Sequence, residues 1–283
     1  MTDARARVTS RPSPLLPLSR VSLRPGPLTG RSDRGRARLG GPLTRLLRSR
    51  SWTRRMTRPR GVSVRFGGSL AIVLAEQEQE IYGAAGGLGV RPGDIVIDGG
   101  AHVGLFTRTA LAAGASLVVT FEVTPKSNQA LRRNFAKEIA DGRVIVMEKG
   151  VWREEGSLPL VIVERCSVCN CVSHPWMPAT IDVPLTTIDH AVTELKLPRV
   201  DYIKLDIENA EANALRGATR VLARYHPRLA VALENSTTRV AYRHEVLGVV
   251  QEAFAGCRYA CGAVTPRDQR HRILPEILHF YTR

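Results

Sequence analysis

The chain has 283 residues, 43% of them hydrophobic, and a formal net charge of +15. That length allows one core of roughly 150 to 250 residues with some chain left over. Five cysteines, an odd number with three crowded between Cys166 and Cys171, do not suggest a secreted disulfide framework.

The charge marks the excess chain. Residues 1–60 hold 16 Arg against Asp3 and Asp33, a net of +14, whereas the remaining 25 basic and 24 acidic groups leave a net of +1. With Pro12, Pro14, Pro17, Pro25, Pro27, Pro42 and Pro59 and no sustained 3.6 or 2 period, residues 1–60 cannot bury enough surface to offset their ordering entropy. They are expected to be a disordered basic tail, and residues 61–283 the folded domain. A basic arm for nucleic acid or an anionic surface is one use for such a tail. A solvated tail, or a start later in the chain at Met56, is the plainer one. No stretch reaches the roughly 18 apolar residues of a membrane span and there is no apolar leader, so the expected location is the cytoplasm.

After the tail, Ser69 to Leu74 reads as a lead-in strand and Glu76 to Tyr82 as a short helix. Ile95, Val96 and Ile97 read as a buried strand, Asp98 to His102 as a glycine-rich turn, and Val103 onward as a helix. Leu117 to Phe121 is a second strand ending at Glu122, Pro125 to about Ala140 a helix, and Val144 to Met147 a third strand. Gly150 to Val163 has a hairpin pattern with Gly156 at its turn. Strand 183–188, helix 189–195, strand 202–205, a helix over 210–225 bent at Gly217, strand 229–233 and helix 240–254 follow. Arg258 to Cys261 and Ile277 to Tyr281 form a closing antiparallel pair. Alternating strands and helices predict an α/β fold with a mostly parallel, doubly wound sheet.

The acids define the first site. A dinucleotide turn reads G-x-G-x-x-G with an acid about 20 residues later. Here the turn is Asp98-x-Gly100-x-x-x-Gly104, with an acid ahead of the glycines and Glu122 closing the next strand. That pairing looks like a class I S-adenosylmethionine site rather than a nicotinamide site. Glu122 can accept from both ribose hydroxyls, and Asp98, facing the crevice, can receive the ammonium. The second constellation is Lys204, Asp206, Glu208 and Glu211 at the end of a later strand. Lys204 and Asp206 share a strand face, and clustered carboxylates supply either a base or a divalent-metal site for activating an alcohol. Glu211 alone reads as a helix cap. A third group, Cys166, Cys169, Cys171 and His174, has zinc-type donors at crowded spacing and reads as a loop near the acceptor, without metal.

These motifs together resemble the FkbM-type methyltransferases. Ile95 to Phe106 is similar to that family's first motif, and Phe121 to Pro125 with Leu131 and Asn134 to its ribose-binding segment. Leu185 to Asp189 is similar to the strand ahead of its active site, and Tyr202 to Ala218 to its lysine, aspartate and two-glutamate signature ending in Gly217-Ala218. The resemblance implies a Rossmann-like class I methyltransferase fold, S-adenosylmethionine as donor, and an oxygen acceptor on a small molecule, sugar or natural product. His102 stands where the family commonly has Asn, and Asn209 where it has Gly. The expected cofactor residues are Asp98, Gly100, His102, Gly104, Glu122 and Gly150; Asp206 is the expected catalytic group, supported by Lys204 and Glu208. An RNA methyltransferase that captures substrate with the basic tail is the alternative enzyme, and a nucleic-acid-binding protein without turnover the alternative of another class.

Overall fold

The computed structural model describes residues 76–77, 80–83, 87–161, 171–172, 181–233, 239–261 and 276–282. All of them lie in one compact unit, Gly40–Arg283. The basic tail, the lead-in strand, Cys166, Cys169, His174 and Glu234 lie outside the described residues, as does the side chain of Cys171.

Seven strands make the main sheet: β1 (Ile95–Gly99), β2 (Leu117–Phe121), β3 (Val144–Met147), β8 (Tyr202–Leu205), β9 (Arg228–Leu233), β10 (Arg258–Cys261) and β11 (Glu276–Tyr281), in the order β10-β11-β9-β8-β1-β2-β3. The five strands from β3 to β9 run parallel; β11 is antiparallel to β9 and β10 to β11. This is the expected doubly wound sheet with its closing antiparallel pair.

Strand alternation sends successive side chains to opposite faces, so both faces of an apolar run are buried. On one face Val96, Val118, Tyr202 and Ala230 pack with Leu105, Phe106, Leu131 and Phe135. These come from α1 (Leu105–Ala112) and from α2 (Pro125–Asn134) with the residue that ends it. On the other face Ile95, Ile97, Ile203, Leu205 and Val231 pack with Ile188, Val192, Leu215, Leu222, Val246 and Phe254. Those belong to α4 (Ile188–Glu194), α5 (Glu211–Arg216), α6 (Thr219–Tyr225) and the end of α7 (Arg239–Ala253), the earlier α3 (Ala136–Ala140) being a short extension after α2.

Two expectations need correction. The stretch from Gly150 is not a hairpin: β4 (Gly150–Val151) and β5 (Gly156–Val161) both pair with β7 (Ile181–Thr186), from opposite sides. With β6 (Cys171–Val172) they make a second sheet in the order β4-β7-β5-β6. Its apolar cluster of Leu160, Val183 and Leu185 takes in Trp152, which is therefore a packing residue. The helix expected to run unbroken from Pro125 breaks at Phe135, whose φ of −119° and ψ of 23° are not helical. Phe135 is instead fully buried beneath the glycine turn.

Where sheet order reverses, β1 pairs with β2 on one side and β8 on the other. Ligands of open α/β sheets bind at the carboxyl ends of strands at such a switch point. The register puts Asp98 beside Thr120 and Lys204.

Candidate active site

The turn after β1 is shaped by two glycines that no other residue replaces. Gly100 has φ +76°, and a Cβ there would lie 2.0 Å from the carbonyl oxygen of Asp206. Gly104 has φ +89° and caps α1, with Phe135 2.2 Å from where its Cβ would be. Both conformations belong to the left-handed region, in which a Cβ is costly. The turn is fastened to β2: the amides of Gly100 and Ala101 donate to Phe121 O at 3.0 and 3.1 Å.

Glu122 completes that fastening. Its Oε2 accepts from the His102 amide at 2.8 Å and its Oε1 from the Thr124 amide at 2.7 Å. Burial pushes its carboxyl above the usual range, against the hydrogen bonds from Thr124 and His102 and the Lys204 charge, which pull it down. An ionised carboxylate offers about four lone-pair directions; the two amides and the Thr124 side chain take three of them, which leaves about one for a ligand. His102 itself is left-handed, at φ +51°. Burial, followed by the nearby Lys204 charge, lowers its pKa to about 4, so the ring is neutral at ordinary pH. Asn134, which the family resemblance puts in the ribose segment, ties α2 to the turn by donating to Val103 O at 2.9 Å.

Lys204 joins the two halves of the site. Its ammonium donates to Gly99 O at 3.1 Å and Gly100 O at 2.9 Å, and lies 3.3 Å from Asp98 Oδ1 and 3.9 Å from Asp206 Oδ2. Burial alone would lower its pKa, but the carboxylates of Asp98 and Asp206 outweigh burial and raise it. Lys204 is therefore a fixed cation and not a base. Asp98 does not face the crevice as expected. It is 0% exposed, its Oδ2 accepts from Thr107 Oγ1 at 2.6 Å, and its other oxygen faces Lys204. A carboxylate at this depth is tolerable because a cation neutralises it, and it acts on the turn through that cation.

The acids after β8 separate into distinct roles. Asp206 keeps 22% of its side chain exposed, and its Oδ2 accepts from Tyr82 Oη at 2.8 Å. Among the described residues no donor engages its Oδ1. Glu208 and Asn209 follow with φ of +57° and +69°, two left-handed residues in succession that turn the chain into α5. Asparagine suits that conformation better than most side chains, which explains how it stands where the family has Gly. Glu211 is completely buried, accepting from Ile207 N at 2.9 Å and Tyr242 Oη at 2.6 Å. Burial pushes its pKa up to about 7, with Asp206 adding to the rise. It clasps the loop ahead of α5 to Tyr242 rather than capping the helix, whose N-cap residue is Ala210.

The acidic cluster left two uses open, a base or a divalent metal. No group of three His, Cys, Asp or Glu converges among the described residues. Glu211 is turned away to Tyr242, and the ammonium of Lys204 occupies the ground between Asp98 and Asp206. Gly150 opens β4, and its missing side chain lets Leu185 and Val123 approach to 2.9 and 3.3 Å of its Cβ direction. It adjoins the residue after Glu122. No described helix is long and apolar enough to cross a membrane.

The sequence reading missed Tyr82. Its ring is buried and packs edge-on against Phe106 at 5.2 Å. A tyrosine 124 residues from its aspartate partner leaves no spacing signal, so only the fold could have found it.

Comparison with known proteins identifies the family. The sequence model of the Methyltransferase FkbM domain matches residues 98–253, more than half of the chain. No curated protein matches. Similar solved structures include a Methyltransferase FkbM from Methylobacillus flagellatus KT, 17% identical over 66% of this chain and 43% of that one, with a TM-score of 0.49. This chain thus spans less than half of that protein. An rRNA methylase from Streptococcus thermophilus is 13% identical over 73% and 94% of the two chains, with a TM-score of 0.44. An O-methyltransferase from Bacillus cereus, in complex with SAH, is 12% identical over 85% and 90%, with a TM-score of 0.43. The family match carries the assignment: the chain belongs to the FkbM family of S-adenosylmethionine-dependent methyltransferases.

Proposed function

We propose that the protein transfers a methyl group from S-adenosylmethionine to a hydroxyl oxygen of a small molecule, sugar or natural product. The observation that carries this reading is Asp206. It is a carboxylate at the switch point with one oxygen held by Tyr82 and 22% of its side chain exposed. A hydroxyl is a poor nucleophile until its proton is taken up, and an open carboxylate oxygen is the acceptor that proton needs.

When bound, S-adenosylmethionine supplies an electrophilic methyl group on a sulfonium. Glu122 would accept from its ribose through the lone pair left after the His102 amide and the Thr124 amide and side chain are satisfied, while the backbone of Gly100, His102, Gly104 and Gly150 would border the cofactor, the glycines' own Cβ directions being taken by Asp206 O, Phe135 and Leu185. Asp98 acts at one remove, fixing Lys204, which in turn fixes the carbonyls of Gly99 and Gly100. Asp206 orients the acceptor hydroxyl and takes its proton. Lys204 sets the charge around it, and Glu208 borders the acceptor side on the same loop. Alignment of acceptor and methyl is the main contribution a site makes to such a displacement. The net charge of +1 outside residues 1–60 favours a small acceptor over RNA, because an RNA-binding face is ordinarily basic.

The test is incubation with methyl-labelled S-adenosylmethionine and a panel of hydroxylated small molecules and sugars, with RNA as a separate arm. Label recovered in a methyl ether, and lost with Asp206→Asn while S-adenosylhomocysteine binding persists, supports the proposal. Label recovered only in RNA, or unchanged turnover in Asp206→Asn, overturns it.

A further inference from the structure

Tyr82 lies ahead of residues 98–253 that match the family, yet its hydroxyl reaches the acid at the switch point. We propose that Tyr82 is a positioning residue for Asp206, pinning Oδ2 so that Oδ1 is the oxygen presented to the acceptor. This rests on the reading of Asp206 as the proton acceptor, but its geometry can be tested without turnover.

The tyrosine is held on three sides. Its carbonyl oxygen accepts from Tyr202 Oη on β8 at 2.6 Å, its ring meets Phe106 of α1 edge-on, and Lys204 Nζ stands 5.6 Å from the ring centroid. A ring so confined has little freedom to move its hydroxyl, so the 2.8 Å bond to Asp206 is a built contact. Without it, Asp206 would answer only to Lys204, 3.9 Å away and already committed to Asp98 and two carbonyls. Rotation of the carboxylate would then face little resistance, and the proton-accepting oxygen would lose its aim. Burial and the surrounding carboxylates hold the phenol well above its ordinary pKa, so Tyr82 serves as a donor and never as the base. The charged groups around the pair are Lys204, Asp98, Glu76 and Glu211.

The experiment is carbon NMR on the full-length protein with labelled aspartate carboxyls. The Asp206 signal is identified as the one missing from Asp206→Asn. Tyr82→Phe removes the hydrogen bond to Oδ2 and is expected to move the Asp206 carboxyl signal at neutral pH away from its wild-type position. Calorimetry should show S-adenosylhomocysteine affinity within twofold of wild type, because Tyr82 touches none of the residues assigned to the cofactor. An Asp206 signal that stays in place refutes the proposal, and so does a signal that moves together with markedly weaker cofactor binding, which would mark Tyr82 as merely structural. The unsubstituted protein gives a second reading should Tyr82→Phe fail to fold. The Tyr82 hydroxyl proton is expected as a slowly exchanging downfield resonance that vanishes in Asp206→Ala, which leaves no acceptor; its persistence there would equally refute the assignment. Failure of the methyl-transfer reading appears only in the labelled-donor assay and leaves both resonances untouched.

Discussion

Replacing Lys204 by methionine tests whether this lysine is chiefly a keystone of the turn. Methionine keeps most of the aliphatic stem and removes the ammonium. Three interactions go at once: the hydrogen bonds to Gly99 O and Gly100 O and the ion pair with Asp98, whose side chain is 0% exposed. Breaking a buried pair from one side leaves an uncompensated charge and costs about 3–5 kcal/mol. That is about a hundredfold to several thousandfold in the ratio of folded to unfolded protein. Urea unfolding followed by circular dichroism reads the loss, and a double variant gives the internal control. Asp98→Asn removes the stranded charge while its amide oxygen still accepts from Thr107, so Lys204→Met with Asp98→Asn should recover at least half of the single variant's loss. If Lys204→Met alone costs less than about 1 kcal/mol, the charge is solvated and the keystone account is wrong.

Three further outcomes are expected. Gly100→Ala brings a Cβ to 2.0 Å of Asp206 O at φ +76°, so the melting temperature should fall by at least about 4 °C and S-adenosylhomocysteine binding should weaken at least tenfold by calorimetry. Glu122→Ala should also weaken that binding, and destabilise the turn besides, because the His102 and Thr124 amides lose their acceptor; unchanged affinity would remove Glu122 from the ribose. Glu211 carries a pH signature: its folded pKa of about 7 lies above the ordinary 4.5, so the folded state binds the extra proton and stability falls as pH rises between those values. His102, lowered to about 4, works in the opposite sense, losing stability as pH falls from 6.5. The difference between Glu211→Gln and wild type isolates Glu211, and should shift in favour of the variant by on the order of 3 kcal/mol between pH 4.5 and 7 in urea unfolding. Parallel pH profiles for the two proteins would contradict that account.

Much of this architecture was legible because its signals are local. Ile95 to Gly104 announces strand, turn and helix by alternation and glycine placement, and Glu122 announces itself by standing at the next strand end. Asp206 stood out by sharing a strand face with Lys204. What stayed hidden depends on neighbours distant in sequence. That Asp98 would be sealed under Lys204 follows from the pairing of β1 with β8, a register that no spacing encodes. The Gly150 stretch resembles a hairpin because Gly156 suits a turn, but β7 outcompetes the local pairing by accepting a strand on each of its edges. The break at Phe135 arises because that ring fills the hollow that the missing side chain of Gly104 leaves. In each case tertiary contact overrode a local preference.

The bridge from Lys204 to the carbonyls of Gly99 and Gly100 spans 105 and 104 residues of chain. Closing so long a loop has an entropic cost before any contact offsets it, which places this joint among the slow, non-local events of folding. During synthesis, β1, β2 and their helices emerge first, but the glycine turn lacks its cation until β8 has left the ribosome and docked. A nascent chain ending before Lys204 therefore carries the whole glycine motif and still lacks the cation that fixes its carbonyls. If the turn holds the methyl donor as proposed, donor affinity reports on completed folding, and donor in solution stabilises only chains that have closed this joint.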